Sequence, residues 1–219
     1  MALAVQHIHS VAHVPLVLGV LRRLEVATVV DQLIPPHPAH VLSCGRGVEA
    51  LVLAILDGDH ALYKVGRRLE ARGMVALLQA GFTRAALNDY RLGHILDALF
   101  AANLNQLFGA VALKALEVYA IPTPWRHQDT TTITLYGAYA DEPTCPEAPH
   151  PAYGHSKDGH EDLKQVLLSL GVSGDGGIPL RMGVRDGNRS DRVETPVAIA
   201  ECVALGLEGV RGIVAESKA

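Results

Sequence analysis

One carboxylate stands apart by its setting. Asp129 opens an otherwise uncharged run, Asp129-Thr130-Thr131-Thr132-Ile133-Thr134-Leu135-Tyr136, and Gly137 closes it. Threonine, isoleucine and tyrosine favour a pleated, half-buried strand, and the glycine marks its turn. A carboxylate entering a buried strand is costly unless hydrogen bonds or a cation meet it. Two readings follow: Asp129 caps neighbouring threonine hydroxyls, or it ligates a metal ion. His127, two residues earlier, would extend the second reading to a small metal-dependent hydrolase.

Two further groups carry charge at useful spacing. Tyr153 to Gln165 holds Lys157, His160 and Lys164 among Asp158, Glu161 and Asp162. Those cations either position a phosphate backbone without reading bases or pair with the acids beside them. Lys64, Arg67, Arg68 and Arg72 recur at i, i+3 and i+4, so one helix face presents them. That face either contacts phosphates or is simply solvated. His150, His155 and His160 are five residues apart in a loop, which is not the i, i+4 pair that a helix offers to zinc.

The elements that must position these groups fall into two halves. The 219 residues suffice for one large domain or two small ones, and 49% hydrophobic with 19% charged residues describes a folded chain. Residues 1–120 carry ten Lys/Arg against nine Asp/Glu, a balance of +1, and residues 121–219 carry nine against fourteen, a balance of −5. An acidic carboxyl half disfavours phosphate contact unless some of its acids hold divalent cations. Cys44, Cys145 and Cys202 make neither a zinc pattern nor a disulfide framework, which fits a reducing cytoplasm. The longest apolar run, Ala50 to Leu56, is too short to span a bilayer, and no signal peptide or membrane anchor is expected.

Residues 1–120 read as a helical bundle. Apolar residues recur at helical spacing from Pro15 to Ile34, where Pro35, Pro36 and Pro38 stop the pattern. Ser43 caps a second helix that ends at Asp57-Gly58. Further helices are expected over Ala61–Ala71, Asn88–Ala102 and Leu104–Tyr119. Residues 121–219 read as strand, strand, strand, helix, strand. Val166 to Val172 is an apolar run of the kind covered on both faces. Ser173 to Gly177 forms a hairpin turn, and Ile178 to Val184 returns. Thr195-Pro196 caps a helix reaching about Leu205, and Val210 to Glu216 is the last strand. The fold class is therefore α+β, an amino-terminal helical bundle followed by an incomplete ribonuclease-H-like mixed sheet. In such a sheet, carboxylates on neighbouring strands converge on two divalent ions about 3.5–4 Å apart.

Taken in order, these segments resemble the DDE transposases of bacterial insertion sequences. His127-Gln128-Asp129-Thr130-Thr131 with Leu135-Tyr136-Gly137 resembles that family's first-acid strand. Tyr153-Gly154-His155-Ser156-Lys157-Asp158 with Asp162-Leu163-Lys164-Gln165 resembles the entry to its second strand. Ile178-Pro179-Leu180 with Asp186-Gly187-Asn188-Arg189-Ser190-Asp191 resembles its third strand and the turn beyond. Leu87-Asn88-Asp89 with Arg91-Leu92-Gly93 resembles part of its helical domain. The resemblance implies Asp129 as first catalytic, metal-binding acid and places Glu216 where the family carries a second acid, an Asp. Glutamate moves that carboxylate on the order of 1.5 Å further out. The third acid is absent, so the chain alone is expected to be a truncated, catalytically incomplete transposase. Mg²⁺ or Mn²⁺ is the implied cofactor. The implied partners are the element's terminal inverted repeats and a second transposase copy, in a cytoplasmic protein that joins the nucleoid when bound to DNA. The alternative is a non-enzymatic module that binds DNA or inhibits full-length transposase.

Overall fold

A computed structural model describes residues 11–58, 61–139, 145, 148–157, 159–204 and 211–215. The chain divides into two compact units, 1–114 and 115–219.

The first unit is helical: α1 (Val14–Arg23), α2 (Val26–Leu33), α3 (Cys44–Leu56), α4 (Leu62–Ala71), α5 (Val75–Leu78), a 3₁₀ turn (Arg84–Leu87), α6 (Asp89–Ala101) and α7 (Leu104–Tyr119), the last running past the boundary. The periodic stretch from Pro15 to Ile34 is two helices, because Glu25 adopts a left-handed backbone with φ 54°. The break lets Val14 and Leu18 of α1 and Val26 and Val30 of α2 reach one core with Leu53, Val65, Leu69, Met74, Leu92 and Ile95. The expected Ser43 cap forms, its Oγ accepting from Arg46 N at 3.2 Å, and Asn88 Oδ1 caps α6 in the same way, accepting from Arg91 N at 2.8 Å. Each satisfies an amide that its helix leaves orphaned. α5 and the 3₁₀ turn are too short for a periodic signal and were not expected from the pattern.

The second unit holds β1 (Trp125–Leu135), β2 (Lys164–Ser173), β3 (Pro179–Asp186), α8 (Asp191–Ala204) and β4 (Gly212–Ala215). The sheet order is β3-β2-β1-β4. β1–β2 and β2–β3 are antiparallel; β4 lies parallel to β1, with Trp125 opposite Gly212 and Gln128 opposite Ala215. This is the α+β architecture expected, with a crossover helix feeding a parallel strand beside β1.

Two local expectations are corrected. β2 is not apolar on both faces. Gln165, Leu167, Ser169 and Ser173 are buried on one side, while Val166, Leu168, Leu170 and Val172 are only half-buried on the other. The covered face is largely polar, with Leu167 among Arg126, Gln128, Thr130 and Thr132 from β1 and Arg181 from β3. The crossover helix also begins at Asp191 and not at Pro196, which lies inside it. A proline within a helix forfeits one backbone bond. Here Glu194, fully buried, holds the earlier turn in place through ion pairs to Arg181 at 3.0 Å, Arg185 at 3.1 Å and Arg189 at 2.9 Å.

Among the described residues no single helix is long and apolar enough to cross a membrane.

Candidate functional site

Asp129 sits in mid-strand on β1, opposite Leu170 of β2. Strand alternation turns its side chain to the face away from the buried Gln128 and Thr130, and 74% of it is exposed. One carboxylate oxygen accepts from the amide of Thr130 at 2.7 Å. The threonine hydroxyl is bound by a different acid: Thr130 Oγ1 donates to Asp191 Oδ1 at 2.7 Å. Capping of a β1 threonine thus falls to the first residue of α8, an acid whose role no sequence pattern signalled.

Lys157 joins these groups. Its ammonium donates to the Thr130 carbonyl and to Thr130 Oγ1 at 2.7 Å, and lies 3.5 Å from Asp191 Oδ2 and 4.0 Å from Asp129 Oδ1. Among the described residues the β4 pairing reaches Gln128, and Lys157 binds the carbonyl of Thr130, two residues further along β1. Asp158, one of its expected partners, lies outside the described residues. His160 is exposed, and Lys164 Nζ donates to the Tyr139 carbonyl at 2.5 Å. Glu216 lies outside the described residues; it follows Ala215, the partner of Gln128, directly in sequence, as Asp129 follows Gln128.

Behind Lys157 a cavity of about 490 Å³ opens between the His155–Lys157 segment and the Gly187–Arg192 turn. Gln165 ties its two walls together, Nε2 donating to the Gly187 carbonyl at 2.9 Å and to the His155 carbonyl at 3.4 Å. Under α8, a chain of polar contacts runs from the site into the interior. Gln128 Nε2 donates to the Asp129 carbonyl and to Ser169 Oγ, both at 3.0 Å, and Arg181 Nη1 donates to Ser169 Oγ at 2.7 Å. Arg181 in turn meets Glu194 and Glu201. Burial alone would push the Glu194 carboxyl up, but Arg181, Arg185 and Ser169 together hold it below its ordinary value. Burial raises the Cys202 thiol, so it stays protonated in the core.

In the helical unit the basic face of α4 is divided. Arg68 and Arg72 reach Asp57 at 2.8 and 2.7 Å, while Arg67 is exposed and Lys64 lies 5.6 Å from the centre of the Tyr63 ring. Asp57 closes the carboxyl end of α3, where the helix dipole disfavours an acid. The two guanidiniums, four residues apart, offset that placement. Replacing Asp57 by Ala is expected to lower stability by about 1–2 kcal/mol, since both arginines keep part of their surface in water. Urea unfolding followed by circular dichroism measures it, and an unchanged midpoint would deny the clamp any structural role.

Among the described residues no three His, Cys, Asp or Glu side chains are grouped to hold a metal ion. Residues 6–113 match the model of DUF4277, a domain of unknown function. Comparison with curated proteins and with solved structures gives no match.

Proposed function

We propose that the chain comprises the helical domain and leading sheet of an insertion-sequence transposase, a DDE enzyme of the two-metal phosphoryl-transfer class. The observation that carries this reading is the setting of Asp129. It projects from the strand that lies between an antiparallel neighbour and a parallel one returning through α8, and its carboxylate is turned outward. Support also comes from DUF4277, a family found in transposase-like proteins.

The chemistry of Asp129 suits one ligand position on a hard cation. An exposed carboxylate, steadied by its own strand amide, can give oxygen to Mg²⁺, which keeps several waters and binds through one or two carboxylates plus substrate phosphate. When bound, the ion would polarise a phosphodiester oxygen. Asp129 would hold it, Glu216 would supply a second carboxylate, and Lys157 would set the local charge. DNA at the element's ends is the proposed partner, met in the sheet unit by Lys157, His160 and Lys164, and in the helical unit by Lys64, Arg67, Arg68 and Arg72, of which Arg68 and Arg72 also hold Asp57.

Iron-directed cleavage tests the metal site without requiring turnover. Fe²⁺ in place of Mg²⁺, with ascorbate and peroxide, is expected to cut the polypeptide close to Asp129, and Asp129→Asn to remove that cut. Cleavage that maps elsewhere, or that persists in the variant, overturns the reading. The regulatory-module alternative is favoured by the ammonium of Lys157 already lying against Asp191 and Asp129. On that reading, metal-independent binding to the element's ends survives Asp129→Ala.

A further inference from the structure

The cavity beside Lys157 has a charge balance opposite to that of the half-chain containing it. Residues 121–219 carry five more acids than bases. Among the described residues the cavity wall nevertheless presents Lys157, Arg189 and Arg192 against one carboxylate, Asp191. Lys157 is opposed by Asp191 at 3.5 Å and, from outside the cavity, by Asp129 at 4.0 Å. Arg189 is only partly neutralised, because Glu194 is shared with Arg181 and Arg185, and Glu201 is the one other acid those two arginines meet among the described residues. Arg192 is exposed and makes no ion pair among the described residues. Among the described lining residues cations therefore outnumber carboxylates, on walls that the Gln165 side-chain amide holds at fixed spacing. The amide and hydroxyl side chains of Asn188 and Ser190 supply neutral donors on the same surface.

We infer that this cavity binds a phosphate group, with Arg192 as the contacting side chain and Arg189 and Lys157 supplying the surrounding field. A guanidinium that meets no carboxylate among the described residues is the group best matched to two phosphate oxygens at once. The volume of about 490 Å³ admits a phosphate together with the sugar attached to it. Lys157 also lies 4.0 Å from Asp129, so this ammonium links the cavity to that carboxylate on the opposite face of the sheet. This deepens the transposase reading by locating the nucleic-acid backbone, yet binding here requires neither a metal ion nor strand transfer.

The test uses the whole chain labelled with ¹⁵N and titrated in metal-free buffer with two probes: inorganic phosphate and the single-stranded octamer (dT)₈. The amides of Gly187 to Arg192 are expected to shift with at least one probe. Arg192→Ala is expected to weaken that binding by about tenfold, the size of one charge-assisted hydrogen bond. The exposed position of Arg192 leaves the remaining spectrum as a check that the variant is folded. Tighter binding of the octamer assigns the site to a nucleic-acid strand; a response to inorganic phosphate alone assigns it to the free ion. Absence of shifts at these amides with both probes, or shifts unaffected by Arg192→Ala, overturns the inference. Loss of iron-directed cleavage with the phosphate response intact would remove the metal reading and leave this one standing.

Discussion

Glu194→Gln is expected to destabilise the sheet unit by about 3 kcal/mol, the low end of what removing one partner from a buried ion pair costs. Glu194 is fully buried and serves three guanidiniums, with Arg181 only 6% exposed beside it. Glutamine keeps the shape but brings an amide donor towards arginines that are themselves donors only. Glu201 remains in contact with Arg181 and Arg185, which holds the loss below the upper end of the range. Trp125, the chain's single tryptophan, stands on β1, so its fluorescence during urea unfolding reports on this unit. The pH dependence has a definite sign. The folded carboxyl titrates below its ordinary value of 4.5. Its contribution is therefore fully present above that value and is lost as pH falls through the lower, folded pKa. The gap between wild type and variant should be widest near neutrality and should close in acid. A gap under about 1 kcal/mol, or one that does not change with pH, would show that the arginines do not depend on this carboxylate.

The parts of this fold legible in the sequence are those fixed by short-range chemistry. Ser43 and Asn88 cap their helices as their residue types require, α7 begins and ends at the expected residues, and the turn after Ser173 reverses the chain. The parts that were not legible depend on partners distant in the chain. Glu25 breaks a continuous apolar period because both resulting helices gain from one core, which no local propensity records. The start of α8 is moved five residues upstream of the Thr195-Pro196 signal by the demand of three arginines for Glu194. The site shows the same division. Asp129 could be singled out from its strand context. Asp191 and Arg192 belong to a turn that looks merely polar until the sheet carries it up to Thr130 and Lys157.

That turn depends on a glycine, and Gly187→Ala is expected to cost about 3 kcal/mol, the upper end for forcing extra atoms into a packed site. A Cβ at Gly187 would lie 1.9 Å from the carbonyl oxygen of Gln165 and 2.6 Å from that of Ala152. Neither oxygen can retreat cheaply, because the two residues are held together by paired backbone bonds, Ala152 N to Gln165 O at 3.1 Å and Gln165 N to Ala152 O at 3.0 Å. Nor can Gly187 move outward alone: its own amide donates to the His150 carbonyl at 3.1 Å, and its carbonyl accepts from Gln165 Nε2 at 2.9 Å. The clash must therefore displace the whole Gly187–Arg192 turn or break the bridge behind it. Either outcome separates Arg192 from Lys157, so the alanine variant should lose the phosphate response of the cavity together with its stability. Tryptophan-monitored unfolding within about 0.5 kcal/mol of wild type would mean that the turn accommodates a side chain. The close approach of β2 to this turn would then not be what shapes the cavity.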